Sequence, residues 1–258
     1  MPYTLSDLKA GDHVLHIYNT ETEYYTILVS YIQQGLERGE KVVYAASAAS
    51  PEAILAALKA SGMDPAPYLS KGQLVILPGE AVYLSEDRFV PERLFQTIQA
   101  LLKGCGAEGY TGARLGGEMS WVLQHKPGTE RLLEYEAALN RMLGKKSCTL
   151  LCQYQRQRFP ADVLLDMLRC HPVVIVGEHL STNFYYVPHA ETRHAHMGAG
   201  RLRAWLETLH ENGAIQEPNL GFSPHLALRL RQRQQAQKTV QRVWGVWPTE
   251  ESDPQLYL

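Results

Sequence analysis

Apolar and polar positions recur along this chain with two alternating periods, and each change of period marks an element. Residues 13–18, His-Val-Leu-His-Ile-Tyr, form a short apolar run rich in β-formers between Gly11-Asp12 and Asn19-Thr20, which predicts a strand. From Tyr24 the spacing turns helical: Tyr24, Ile27, Leu28, Tyr31, Ile32 and Leu36 share one stripe. Gly39 punctuates the end of that helix, and Lys41 to Ala46 returns to strand composition. The stretch from Asp12 to Ser47 thus predicts two parallel strands joined through one helix.

The alternation continues downstream. Ser50-Pro51-Glu52 opens a helix over 52–61, with serine capping and proline in the first turn. Gly62 to Tyr68, with two prolines, reads as a turn, and Gln73 to Leu77 as a third strand ended by Pro78-Gly79. A loop carrying Tyr83 and Phe89 precedes a helix that starts at Pro91 and turns Leu94, Ile98, Leu101 and Leu102 inward. Tyr110 to Gly117 predicts a fourth strand, Thr129 caps a long helix, and Cys148 to Tyr154 predicts a fifth strand. Pro160 to Leu168 reads as a helix, Val173 to Val176 as a sixth strand, and Asn183 to Val187 as an extra edge strand. This order implies an α/β fold, a mostly parallel sheet with helices on both faces. Right-handed crossovers would gather the strand C-termini on one edge, where such folds bind ligands.

After Gly177 the composition shifts. A helix over 202–211 and a Gln/Arg-rich helix over 226–243 predict a helical C-terminal extension, the second carrying Arg229, Arg231, Arg233, Lys238 and Arg242 with no acidic residue. Its apolar anchors, including Leu226, Val240, Trp244 and Trp247, favour docking on its own domain or a second copy. Direct nucleic-acid binding is disfavoured, because no aromatic stacking platform accompanies the basic residues. The formal net charge of −2 gives no global case for a nucleic-acid or membrane partner. No apolar run reaches the roughly 18 residues of a membrane span. The first residues lack a basic-then-apolar leader, so a cytoplasmic location is expected. Four cysteines without CxxC spacing fit small buried residues of a reduced compartment. Cys148 and Cys152 would share one strand face, where a disulfide or metal role is the weaker alternative.

The first strand–helix turn decides against a phosphate site. Nucleotide-binding turns at this place are glycine-rich, so that backbone N–H groups and the helix N-terminus can wrap a phosphate. Residues 18–23 here are Tyr-Asn-Thr-Glu-Thr-Glu, without glycine or lysine. Thr20 and Glu23 form an S/T-x-x-E capping box, and Glu21 and Glu23 set negative charge where a triphosphate would arrive. Neither ATP nor magnesium is therefore expected.

Seven segments in order, DHVLHIY, GLERGEKVVY, GGEMSWVLQHKPG, LLEYEAALN, LCQY, HP and NFYY, carry a family likeness. From about Asp12 to Val187 the chain resembles the MEDS domain, a sensory domain named after methanogens, methylotrophs and a dichloromethane-responsive repressor. The resemblance implies a relative of RecA/KaiC-type ATPases with a degenerate P-loop. It also implies a sensor of small, hydrocarbon-derived molecules attached to transcriptional or signalling modules. Unlike the repressor, this chain has 11 residues before Asp12 and no helix-turn-helix there, so its output is expected from a protein partner. The organisation expected is a lead-in over 1–11, a MEDS-like sensory α/β domain over 12–187, and a histidine-containing, basic helical extension over 188–258.

Three sets of residues are candidate sites. Tyr18, Asn19, Glu23, Ser47, Arg114, Glu118, Trp121 and Tyr154 all fall near predicted strand C-termini, where aromatics and a few convergent polar groups suit a small organic ligand. The competing expectation is that Arg114 and Glu118 pair as a structural ion bridge and that the aromatics are core. Glu118 also stands where a related ATPase would hold a metal-binding or water-activating acid, but without a phosphate cradle it makes no hydrolase. His189, His194 and His196, with Glu191, offer imidazole ligands for a metal or haem, against the commoner histidine-rich surface turn. His13, His16 and His171 are read as core fillers or backbone orienters. With no GxSxG elbow or Ser-His-Asp order, a non-catalytic ligand-binding sensor is the leading expectation. A nucleotide-binding regulator or ATPase with an altered site, a metal- or haem-linked sensor, and a homodimer are the alternatives.

Overall fold

The computed structural model of the chain describes residues 4–144 and 147–187. Strand β1 (His13–Tyr18) is buried at every position, as a strand covered on both faces must be. Helix α1 (Glu21–Glu37) follows and buries the stripe Tyr24, Ile27, Leu28, Tyr31, Ile32 and Leu36. Next come β2 (Lys41–Ala46), α2 (Pro51–Ala60), α3 (Ala66–Ser70), β3 (Leu74–Pro78) and α4 (Gly79–Tyr83). A small hairpin of β4 (Leu84–Ser85) and β5 (Arg88–Phe89) forms apart from the main sheet. The rest is α5 (Pro91–Ala107), β6 (Ala113–Glu118), α6 (Leu132–Leu143), β7 (Cys148–Gln155), α7 (Ala161–Cys170), β8 (Val173–Val176) and β9 (His179–Thr182).

Seven strands make one sheet in the order β3-β2-β6-β7-β1-β8-β9, parallel throughout except for the β8–β9 pair. The register aligns Ala46 with Pro78, Glu118 with Gln153 and Tyr18 with Gln155, so the parallel strands end together on one edge. Alternation along each strand feeds separate cores. Leu15, Leu115, Leu150 and Cys152 pack with Leu94, Ile98, Leu139 and Met167 of α5, α6 and α7. Tyr18, Val42 and Tyr44 pack with Leu28, Ile32, Ile54 and Leu58 of α1 and α2. The expected mostly parallel α/β architecture is the one observed. All four cysteines are buried and free.

Several boundaries differ from the sequence reading, and at most of them a polar side chain bonds to backbone. Gln73 lies outside β3, its Nε2 donating to the carbonyls of Leu36 and Glu40 at the end of α1, both at 3.2 Å. Residues 110–112 precede β6, and Thr111 Oγ1 donates to the Arg38 carbonyl. Thr129 does not cap α6; it opens a 3-10 turn and bonds back to the Lys126 carbonyl. Part of the predicted turn at 62–68 becomes α3. The edge strand is His179–Thr182 rather than 183–187. Asn183 ends it, donating from Nδ2 to the carbonyls of Leu168 (2.6 Å) and His171 (2.7 Å). The predicted helices at 202–211 and 226–243 lie outside the described residues.

Arg114 holds the sheet to α1. Its guanidinium is fully buried, bonds Glu40 through Nε at 2.5 Å and lies 4.7 Å from the Tyr31 ring centroid. Gly35 of α1 makes the room: a Cβ there would stand 2.6 Å from Arg114 Cδ. The predicted Arg114–Glu118 bridge therefore does not form. We expect Glu40→Ala to cost about 3 kcal/mol by leaving a buried charge unpaired. Adding Arg114→Met should return part of that loss; urea unfolding of the single and double variants checks both.

Candidate functional site

The loops after β2, β3, β6 and β7 enclose a half-open cleft of about 510 Å³ on the edge where the strands end. Ser47 and Ser50 follow β2, Gly79 and Glu80 follow β3, Ser120, Trp121 and Gln124 follow β6, and Arg158 follows β7. Alanine, proline and leucine side chains supply the apolar part of the wall. Gly79 is required here, since a Cβ would collide with Ser47 Oγ. Trp121 is buried and stacks on Tyr83, with centroids 4.6 Å apart and planes 11° from parallel. Two cleft residues carry buried polar atoms with no protein hydrogen-bond partner among the described residues: Ser47 Oγ and Trp121 Nε1. An indole N–H can only donate, so Trp121 Nε1 is left without an acceptor among the described residues.

Glu118 forms the layer behind. At the end of β6 its Oε2 accepts from Ser120 N (3.0 Å) and Ser120 Oγ (2.5 Å), and Oε1 accepts from Tyr18 OH (3.2 Å). Burial pushes its carboxyl above the usual range, against the lowering effect of the Ser120 and Tyr18 bonds and the Arg158 charge. Both oxygens are therefore committed to shaping the cleft floor.

Of the eight ligand candidates named from the sequence, Ser47 and Trp121 line the cleft, and Tyr18 and Glu118 support it through Ser120. Asn19 and Glu23 are used locally. Glu23 N donates to Thr20 Oγ1 (3.2 Å), and the Glu23 carboxylate accepts from Asn19 N (2.6 Å), one residue earlier than a strict capping box. Arg114 belongs to the Glu40–Tyr31 contact, toward the opposite end of β6. Tyr154 is buried and donates to Glu136 Oε1 at 2.8 Å. His189, His194 and His196 lie outside the described residues. Ser50, Glu80, Gln124 and Arg158 were missed; their place just after predicted strands was the signal available.

The histidines divide into two networks. His16 is a satisfied core residue: Gln153 Nε2 donates to its Nδ1 (2.9 Å), and its Nε2 donates to the Gly177 carbonyl (2.9 Å). His13 and His171 instead converge with Glu136 and Cys152, four buried residues whose donor atoms lie within 4.8 Å of one another. Burial, and next the neighbouring His13, push His171 down to about 3. Burial would raise Glu136, but its hydrogen bond with His13 and the adjacent imidazole and phenol groups hold it below the usual carboxylate range.

The family model of the methanogen/methylotroph, DcmR sensory domain, MEDS, matches residues 12–172. The chain belongs to the MEDS family. That span includes every residue lining the cleft and all four members of the buried cluster. Among solved structures, the chain is similar to the KaiC-like protein PH0186 from hyperthermophilic archaea, Pyrococcus horikoshii OT3. The two are 19% identical over 65% of this chain and 71% of that one, with a TM-score of 0.48. No curated protein matches the chain. Among the described residues of this MEDS domain, no helix is long and apolar enough to cross a membrane.

His16 makes the domain acid-sensitive. Burial lowers it to about 4, whereas the unfolded chain takes up a proton near its ordinary value of about 6.5. Stability present above that value is therefore lost as pH falls through this window, by roughly 2 kcal/mol between about pH 7 and pH 5. In His16→Gln the same acidification should cost less, as urea unfolding at the two pH values will show.

Proposed function

We propose that this MEDS domain is a non-catalytic sensor that binds a small, oxygen-bearing organic molecule in the strand-edge cleft and reports it to a protein partner carrying the output. The observation that supports this reading is that two residues lining the cleft, Ser47 and Trp121, carry unpartnered buried polar atoms, Oγ and Nε1. A concave lining that mixes small apolar side chains with polar groups suits a small ligand with an apolar body and an acceptor. Arg158 adds a cation at the mouth for a carboxylate or similar head group.

Two features argue against phosphoryl chemistry. The turn before α1 is filled by its own side chains, with Glu21 and Glu23 in the first turn of the helix. Glu118, behind the cleft, has both oxygens engaged by Ser120 and Tyr18, and Glu80 in the lining accepts from Gln124. Output to transcription or signalling through a partner follows from the sensory character of the family.

Native mass spectrometry of freshly purified full-length protein, then denaturing analysis of what is released, tests the reading. We expect an organic molecule rather than a nucleotide. Trp121→Phe keeps the stack on Tyr83 but removes the N–H, and should weaken retention about tenfold, as should Ser47→Ala. Unchanged binding in both variants would place the ligand elsewhere. Tight binding of ATP with magnesium would overturn the proposal.

A further inference from the structure

His13, Glu136, Cys152 and His171 come from β1, α6, β7 and the residue after α7. Their approaches are 3.2 Å from His13 Nε2 to Glu136 Oε2, 3.5 Å from His171 Nε2 to the same oxygen, and 3.4 Å from Cys152 Sγ to His13 Nε2. Cys152 Sγ stands 3.7 Å from Glu136 Oε2. A tetrahedral ion with bonds of about 2.0–2.3 Å separates its ligands by about 3.3–3.8 Å. Four of the six separations already stand near those values, and all six lie within 4.8 Å.

The surroundings orient each group toward the common centre. Asn140 Nδ2 donates to the Cys170 carbonyl, which turns its Oδ1 toward His13 Nδ1 at 3.2 Å. His171 Nδ1 faces the Met167 carbonyl at 2.7 Å. Each ring thus holds a proton on Nδ1 and turns Nε2 inward, where His13 Nε2 is free to bind an ion once the proton it shares with Glu136 has left. Tyr154 OH occupies the other Glu136 oxygen, and His171 Nε2 has no hydrogen-bond partner.

We propose that these four side chains form a closed, buried site for one divalent zinc ion. Two imidazoles, one thiolate and one carboxylate suit zinc by donor type, and the two anions cancel its charge, so a neutral unit is buried. Four protein ligands leave no open position, which makes the site a structural tie among β1, α6, β7 and the start of β8. Binding replaces the Cys152 S–H bond with a zinc–sulfur bond and releases to solvent that proton and the one shared by His13 Nε2 and Glu136; nothing is oxidised or reduced. The site is independent of the strand-edge cleft, and either can fail alone.

The test uses full-length protein purified without chelator. Elemental analysis should find about one zinc per chain, and chelation should lower the melting temperature. Cobalt(II) in place of zinc should give a thiolate-to-cobalt charge-transfer band that Cys152→Ser removes while circular dichroism stays native. His171→Asn should reduce affinity at least tenfold. Three results would overturn the site. Wild type that retains no metal after incubation with excess zinc would leave only a metal-free His13–Glu136 pair. No thiolate band in cobalt-loaded wild type would exclude Cys152, whatever the variants do. Metal retained undiminished in Cys152→Ser and His171→Asn would place it elsewhere on the chain.

Discussion

A parallel sheet covered on both faces gives polar side chains no route to water, and that constraint shapes this molecule. β1, β6 and β7 together carry His13, His16, Arg114, Glu118, Thr149 and Gln153, all buried. Each buried donor or acceptor left unmatched would cost on the order of 1–3 kcal/mol. The helices therefore do more than cover apolar surface. α1 brings Tyr24 and Tyr31, β2 brings Tyr44, and α6 brings Glu136 and Asn140, each meeting a polar group of the central strands.

Strand parity sorts these partners. His13 and Cys152 point to the side of α6 and α7, whereas His16, Gln153, Tyr18 and Glu118 point to the side of α1. A shift of register by one residue would exchange the two sets and strand both. The arrangement thus fixes register more strictly than apolar alternation alone, because isoleucine and leucine tolerate exchange better than a carboxylate does. It also separates the two candidate sites. The cleft lies at the strand ends, while the buried cluster sits between the sheet and its helices.

Much of this was legible in the sequence. The six main strands and their helices followed from periodicity, and the side-chain bond of Thr20 to the Glu23 amide followed from residue type alone. Ser47 and Trp121 were found because position after a strand predicts position at the edge. What failed was pairing over long sequence distance. Arg114 and Glu118 lie on one strand face and read as partners, yet Glu40 and Ser120 claimed them. Tyr154 read as an edge aromatic, but Glu136 on α6 turned it inward. His13, Glu136, Cys152 and His171 are far apart in sequence, and no local spacing rule joins them. The boundary errors at Gln73, Thr129 and Asn183 share one cause, side-chain bonds to backbone that compete with regular structure.

Asn183 has a mechanical meaning. Its amide clamps the carbonyls of Leu168 and His171, and Val187 N adds a bond to the Arg169 carbonyl at 3.0 Å. The segment at 183–187 is thus spliced to the end of α7, and one of the joints is the peptide of His171 itself. That residue presents its ring to the buried cluster and its carbonyl to the segment. One residue thus serves two attachments at once, its ring in the cluster and its peptide in the splice, so neither can be displaced without straining the other.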